Sequence, residues 1–239
     1  AGPLVAAAAV SVWGAPAVMV VSTLALLVAC LGMAAVVRGM RRSAPDRAPR
    51  PRVPWRSIGF LLGLIPAAAV GILLGGLELA AVALVVSLAG EGIAGVPAAL
   101  ISIGSIVGGL VYGRRQWRGT AATQSVVAVL GAALAVALAA ALAGLLPGVL
   151  AAFLVAGLFV APAVVASYLV ADEAVQGASA ESTAWVTAAF NVGTAVGTLM
   201  AGLLVDAQSP GAAMLALAVT TVLLTTSAAV AVRRRARGA

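Results

Sequence analysis

From residue 58 to residue 88 the chain carries one charged side chain, Glu78, in an otherwise apolar run, and five further apolar runs follow. A bilayer's hydrocarbon core takes about twenty helical residues to cross, and its dryness leaves no backbone group unpaired. Runs of this kind are therefore expected to be helices, and the chain to be all-α: a polytopic transmembrane helix bundle. Composition agrees, with 63% of residues hydrophobic, 9% charged and a mean hydropathy of +1.17, too little polar surface to coat a soluble globule.

The spans read in order as 17–37, 58–88, 96–112, 125–146, 149–170, 184–205 and 212–232. Residues 2–12 are too short to cross and lead through Trp13, Gly14, Ala15 and Pro16, a turn at the interface. Residues 38–56 hold seven arginines and four prolines and read as a solvated linker. Domains follow at 1–37, the end of one bundle; 38–56, the linker; 57–232, a six-helix bundle; and 233–239, a basic tail.

Charge orients these spans. All fourteen basic residues are arginines, and all fall in three segments on the side of the tail; the connections on the other side hold only Glu91 and Asp206 as charges. Arginine excess marks the cytoplasmic face, so linker, tail and the Arg114-Arg115 loop are expected there. The high isoelectric point thus reflects orientation rather than nucleic-acid binding, and the lipid bilayer is the expected partner. Arginine without lysine, in an Ala-, Val-, Leu- and Gly-rich chain, points to a GC-rich bacterial genome and a bacterial cytoplasmic membrane. Histidine is absent and Cys30 stands alone in an apolar span, which excludes a disulfide framework or a Cys/His metal site within the chain. Residues 101–115 carry Gly104, Gly108, Gly109 and Gly113 before Arg114 and Arg115. Eighty-nine residues on, Gly193, Gly197 and Gly202 fall opposite Gly104, Gly108 and Gly113. Both stretches belong to the second span of a triplet, and the two spans cross in opposite directions, as an inverted repeat requires.

Six spans in a three-plus-three inverted repeat, preceded by a basic linker, resemble the C-terminal bundle of a major facilitator superfamily transporter. Gly109-Leu110-Val111-Tyr112-Gly113-Arg114-Arg115 resembles the loop motif between that family's eighth and ninth helices, with Gly113 where an acid is usual. Gly2-Pro3 with Ala6-Ala7 resembles the end of the glycine-proline motif of antiporter fifth helices. Glu181, Trp185, residues 193–197 and residues 202–206 resemble the eleventh helix of bacterial efflux members. The resemblance implies that residues 1–37 are a remnant of an N-terminal bundle whose earlier helices, on the same polypeptide, are a partner not included here. It also implies alternating access, a small-molecule substrate and no cofactor beyond a proton gradient as the coupling ion.

Glu78 is the only acid well inside a span, and an ionised carboxylate there costs on the order of 3 kcal/mol on insertion scales. Two readings stand: a proton or cation carrier on a face made small by Gly71, Gly75 and Ala81, or a carboxyl hydrogen-bonded between helices or near the outer headgroups. Thr187, Asn191, Thr194 and Thr198 form one polar stripe, either lining a pathway or bonding between and within helices. Gly104, Gly108, Gly109, Gly113, Gly193, Gly197 and Gly202, with Arg114 and Arg115, are read as a packing and gating motif. Tyr168, near Ser167 and Pro162, is a cavity-lining or anchoring residue.

The expected function is proton-coupled efflux of a small organic molecule; the alternative is a half-length, non-transporting scaffold or regulator paired with another membrane chain. An enzyme is not expected: there is no pair of intramembrane aspartates and no Gly-x-Ser-x-Gly elbow.

Overall fold

The computed structural model describes residues 14–41, 58–115, 117, 119–174 and 179–238. These are helical almost throughout and contain no strand. Among the described residues, seven helices are long and apolar enough to cross a membrane, so the chain is a multi-pass membrane protein. It divides into two compact units, Ala1–Arg50 and Pro51–Ala239.

The first unit contributes α1, Ala15–Arg41. Gly14, at φ +76°, turns the chain into the helix, and Pro16 sits in the first turn, where its missing N–H costs nothing. Nearly every described side chain of α1 is exposed. Residues 38–41, read from sequence as linker, continue this helix. The rest of that linker, residues 42–56, and the glycine-proline fragment at residues 2–7 lie outside the described residues.

The second unit is a bundle of six helices: α2 Ile58–Ala89, α3 Val96–Arg114, α4 Ala121–Ala141, α5 Leu146–Ala174, α6 Ser179–Ala207 and α7 Pro210–Gly238. Local chemistry sets their ends. Gly90, at φ +83°, donates its N–H to Val86 O at 2.9 Å and closes α2. Thr120 caps α4, its hydroxyl accepting the Thr123 N–H at 3.3 Å; Ser209 does the same for Ala212 at 3.2 Å, with Pro210 opening α7.

Several boundaries differ from the sequence expectation: α4 runs over residues 121–141 rather than 125–146. Pro147 and Gly148 were expected to separate two spans but lie in the first turn of α5, and the chain reverses earlier, through the Leu145 N–H to Leu142 O bond at 2.8 Å. The polar stretch 172–183 is helical at both described ends, closing α5 and opening α6, while residues 175–178 lie outside the description. Residues 233–238, expected as a tail, extend α7.

α2 is the most buried helix, and the core around it joins many alanines to a few large side chains, among them Leu77, Val85, Val136, Phe153, Met214 and Leu217. Small residues let the backbones approach, and the large ones fill the hollows that result: Leu217 of α7 lies over Gly76 of α2, and Phe159 of α5 over Gly131 of α4. α2 packs on α6 and α7, α5 on α3 and α4, and α4 on α7. α3 and α4 share a short loop, yet they stand apart along most of their length.

Two crossings bring backbone against backbone. A Cβ on Gly193 or Gly197 of α6 would strike the carbonyl oxygen of Ala68 or Ile72 of α2, and one on Gly71 that of Phe190. In the second crossing the same relation joins Gly104 and Gly108 of α3 to Leu154 O and Leu158 O of α5, and Gly157 to Ile101 O. Numbers rise together in each pair, so the crossing helices run parallel.

Candidate functional site

Glu78 lies in the middle of the most buried helix. Eleven residues, about 16 Å at 1.5 Å per residue, separate it from the end of α2 at Ala89, within the apolar span of residues 63–89. Between residues 63 and 86 it is the only exposed position. It makes no hydrogen bond or ion pair with the described residues, so a carboxyl bonded between helices does not describe it. The small face expected to leave room beside it is filled: Gly71 and Gly75 lie against the α6 backbone at Phe190 and Thr194, and Ala81 is fully buried. Glu78 is one turn beyond that contact, on the outside of the bundle.

The polar stripe of α6 divides into residues that bond and one that does not. Thr187, Thr194 and Thr198 each donate to the carbonyl four residues earlier, at 2.9, 3.0 and 2.9 Å, the habit of threonine in a dry helix. Thr198 also reaches Gly75 O on α2 at 3.0 Å, and Thr187 meets the Tyr168 hydroxyl of α5 at 3.0 Å. Asn191 is exposed and has no hydrogen bond among the described residues. Glu78 and Asn191 are thus strongly polar groups left uncovered well inside their apolar spans, and the structure does not bond one to the other.

Of the glycines singled out, Gly104, Gly108, Gly193 and Gly197 are the contact points of the two crossings, and a Cβ on Gly109 would lie 3.2 Å from the Ala161 methyl. Gly113 and Gly202 correct the expectation, for a Cβ on either would meet nothing within 4 Å. Each lies five residues past the last contact glycine, about 140° around the helix from it, and so faces away from the crossing. Gly71, expected on the small face beside Glu78, and Gly157, which was missed, complete the contacts. The signal available was their separation of eighty-six residues, the same as from Ala68 to Leu154 and from Ile72 to Leu158.

At the arginine-bearing end of α3, sequence reasoning missed Gln124. Its amide accepts a short hydrogen bond from the Tyr112 hydroxyl and donates to Gly119 O at 3.2 Å, tying α3, loop and α4 together. Trp117 donates from Nε1 to Tyr112 O at 3.0 Å and stacks on that ring with centroids 5.7 Å apart, while the Arg115 guanidinium lies 5.1 Å from the Trp117 centroid. Arg114 and Arg115 are exposed and form no ion pair among the described residues. This assembly closes one end of a half-open cleft of about 500 Å³ between α3 and α4, floored by Leu158, Phe159 and Pro162 of α5.

Two buried features were likewise unforeseen. Ser125 of α4 lies 3.4 Å from Ser167 of α5, which also donates to Ala163 O at 2.8 Å. The hydroxyls of Thr221 and Thr225 in α7 are buried without a hydrogen-bond partner among the described residues. Among the described residues no three His, Cys, Asp or Glu side chains gather where they could hold a metal ion. Compared with known protein families and with curated proteins, the chain matches none.

Proposed function

We propose that this chain is the C-terminal part of a secondary transporter of the major facilitator type, exporting a small organic molecule by alternating access in a bacterial cytoplasmic membrane. The observation that carries the proposal is the duplicated glycine crossing. Shifting the α2 positions by eighty-six residues and the α6 positions back by eighty-nine turns the α2–α6 contacts into the α5–α3 contacts, residue for residue. Such an exchange supports two inverted triplets, α2 to α4 and α5 to α7, with substrate and coupling-ion sites expected where repeats meet near the bilayer midplane.

Glu78 is the proposed proton carrier. A carboxylate at mid-span on the outside of one bundle is too costly to leave against lipid, which argues for a second bundle of the same polypeptide covering it and enclosing a cavity with it. Protonation from outside then favours one orientation of the bundles, and release inside resets the cycle.

The test uses inverted membrane vesicles from cells expressing the entire coding region. Adding a transported compound should release protons from an acidified lumen, and Glu78→Gln should abolish that release while the protein stays inserted. Unchanged coupling in Glu78→Gln would remove Glu78 from the mechanism. No proton movement with any of a broad panel of lipophilic cations and sugars would count against proton-coupled transport itself.

A further inference from the structure

We propose that the cleft between α3 and α4 holds an acyl chain of an anionic phospholipid whose phosphate rests on Arg114 and Arg115. This rests on the membrane spans and the cleft alone, and stands whether or not the protein transports.

The cleft has the form of its ligand. Its walls are Val107, Val111 and Val127, with Leu158, Phe159 and Pro162 behind, so it is lined almost wholly by carbon. Val107, Val111 and Val127 are 45%, 53% and 60% exposed, so this surface opens outward, where a membrane-spanning bundle meets hydrocarbon. Its volume of about 500 Å³ falls within the roughly 300–1,000 Å³ of small-ligand sites. From Arg114 back to Val107 is seven residues of helix, about 10 Å, enough to take the headgroup-proximal part of a chain lying along the helix axis.

Polarity is graded along the same line. Trp117, the Tyr112 hydroxyl and Gln124 sit at one end of the cleft, and valine, leucine and phenylalanine at the other. Tryptophan and tyrosine mark the level of lipid headgroups. Above them Arg115 is held over the Trp117 ring by its cation–π contact, and neither it nor Arg114 has a carboxylate partner among the described residues. The Tyr112–Gln124 bond props α3 and α4 at the loop while leaving them apart beyond it. Two unpaired guanidinium groups at the loop end of an apolar slot, next to its Tyr112 and Trp117, complement a phosphodiester carrying a net negative charge. A zwitterionic headgroup would place its own ammonium against the same arginines.

The full chain, reconstituted in bilayers of brominated dioleoyl phosphatidylglycerol or brominated dioleoyl phosphatidylcholine, reports occupancy through Trp117 quenching, isolated by subtracting the Trp117→Phe variant. Phosphatidylglycerol is expected to bind at least ~5-fold more strongly than phosphatidylcholine, the effect of about one arginine–lipid interaction. Arg114→Gln with Arg115→Gln should bring the ratio to about one, and lysine at both positions should retain it. Val127→Phe, which fills the slot, should reduce quenching by both lipids in protein of unchanged helicity and elution volume. Equal binding of the two lipids, a preference that survives the double glutamine variant, or quenching that survives Val127→Phe would each overturn the proposal. So would efficient disulfide cross-linking of Val111→Cys between two molecules, which would give the groove to a second copy of the chain.

Discussion

Gly197 and Ile72 are in backbone contact: the hydrogen that glycine carries in place of a side chain points at the Ile72 carbonyl oxygen, where a Cβ would fall well under 3.0 Å from it. Contacts of this kind bring Cα–H groups against carbonyls and make dispersion between backbones the adhesive, since hydrocarbon offers no hydrophobic drive for helices to associate. Gly197→Ala and Gly108→Ala are expected to destabilise the bundle by about 1–3 kcal/mol each, because α2 and α5 cannot yield at a backbone atom. Gly202→Ala and Gly113→Ala, with open space at the Cβ, should stay within about 0.5 kcal/mol. Reversible unfolding in mixed micelles would read the difference, and equal effects at all four positions would contradict the crossing.

Thr198 bonds to its own helix and to Gly75 of α2, whereas Thr194 bonds only to its own. Thr198→Val should therefore cost about 0.6 kcal/mol, the typical worth of an interhelical hydrogen bond in a membrane, and Thr194→Val close to none of that. The same unfolding measurement checks it. A larger loss at Thr194, whose methyl valine keeps, would show that its hydroxyl contributes more than the bond to its own helix.

Tyr168 and Thr187 were chosen from sequence on separate grounds, and the structure joins them by a hydroxyl pair at 3.0 Å. A double-mutant cycle with Tyr168→Phe and Thr187→Val should show a coupling of about 0.5–1 kcal/mol. Strict additivity would mean that the two hydroxyls do not depend on each other.

Gln124 holds the turn between α3 and α4 from both sides. Gln124→Leu keeps the bulk and removes both bonds. Hydrogen exchange at the amide of Thr123, which bonds to Thr120 Oγ1 in the first turn of α4, should then quicken about 10-fold, the equivalent of roughly 1.4 kcal/mol, with little change in the middle of α3. Unaltered exchange would assign the order of the turn to the Tyr112–Trp117 stack instead.

Span number and identity were legible because hydrocarbon imposes length and polarity on every helix independently of its neighbours: Glu78 stood out as an intramembrane acid from composition alone. Helix ends were less so. Arg38 and Arg233 look like loop residues to a hydropathy argument, but a helix that has left the bilayer loses nothing by continuing. The glycine echo located Gly104, Gly108, Gly193 and Gly197 at contacts, yet it also enrolled Gly113 and Gly202, because identity at a fixed spacing does not report which face of a helix meets its neighbour. Gln124 and Ser125 were invisible for another reason. Their partners, Tyr112 and Ser167, lie on other helices, and only the arrangement of helices says which polar residues meet.

The crossing of α2 with α6 also has a history within each molecule's synthesis. More than a hundred residues separate Gly75 from Thr198, the pair joined by a hydrogen bond between these helices. At ribosomal rates of roughly 5–20 residues per second, α2 waits on the order of ten seconds in the bilayer before the helix that covers its glycine face has been made. During that interval Gly71 and Gly75 lie bare to whatever membrane helix drifts past. Assembly is thus post-insertional, and a chain stalled before α6 would present an adhesive, half-finished surface to its neighbours, a natural point for membrane quality control to act.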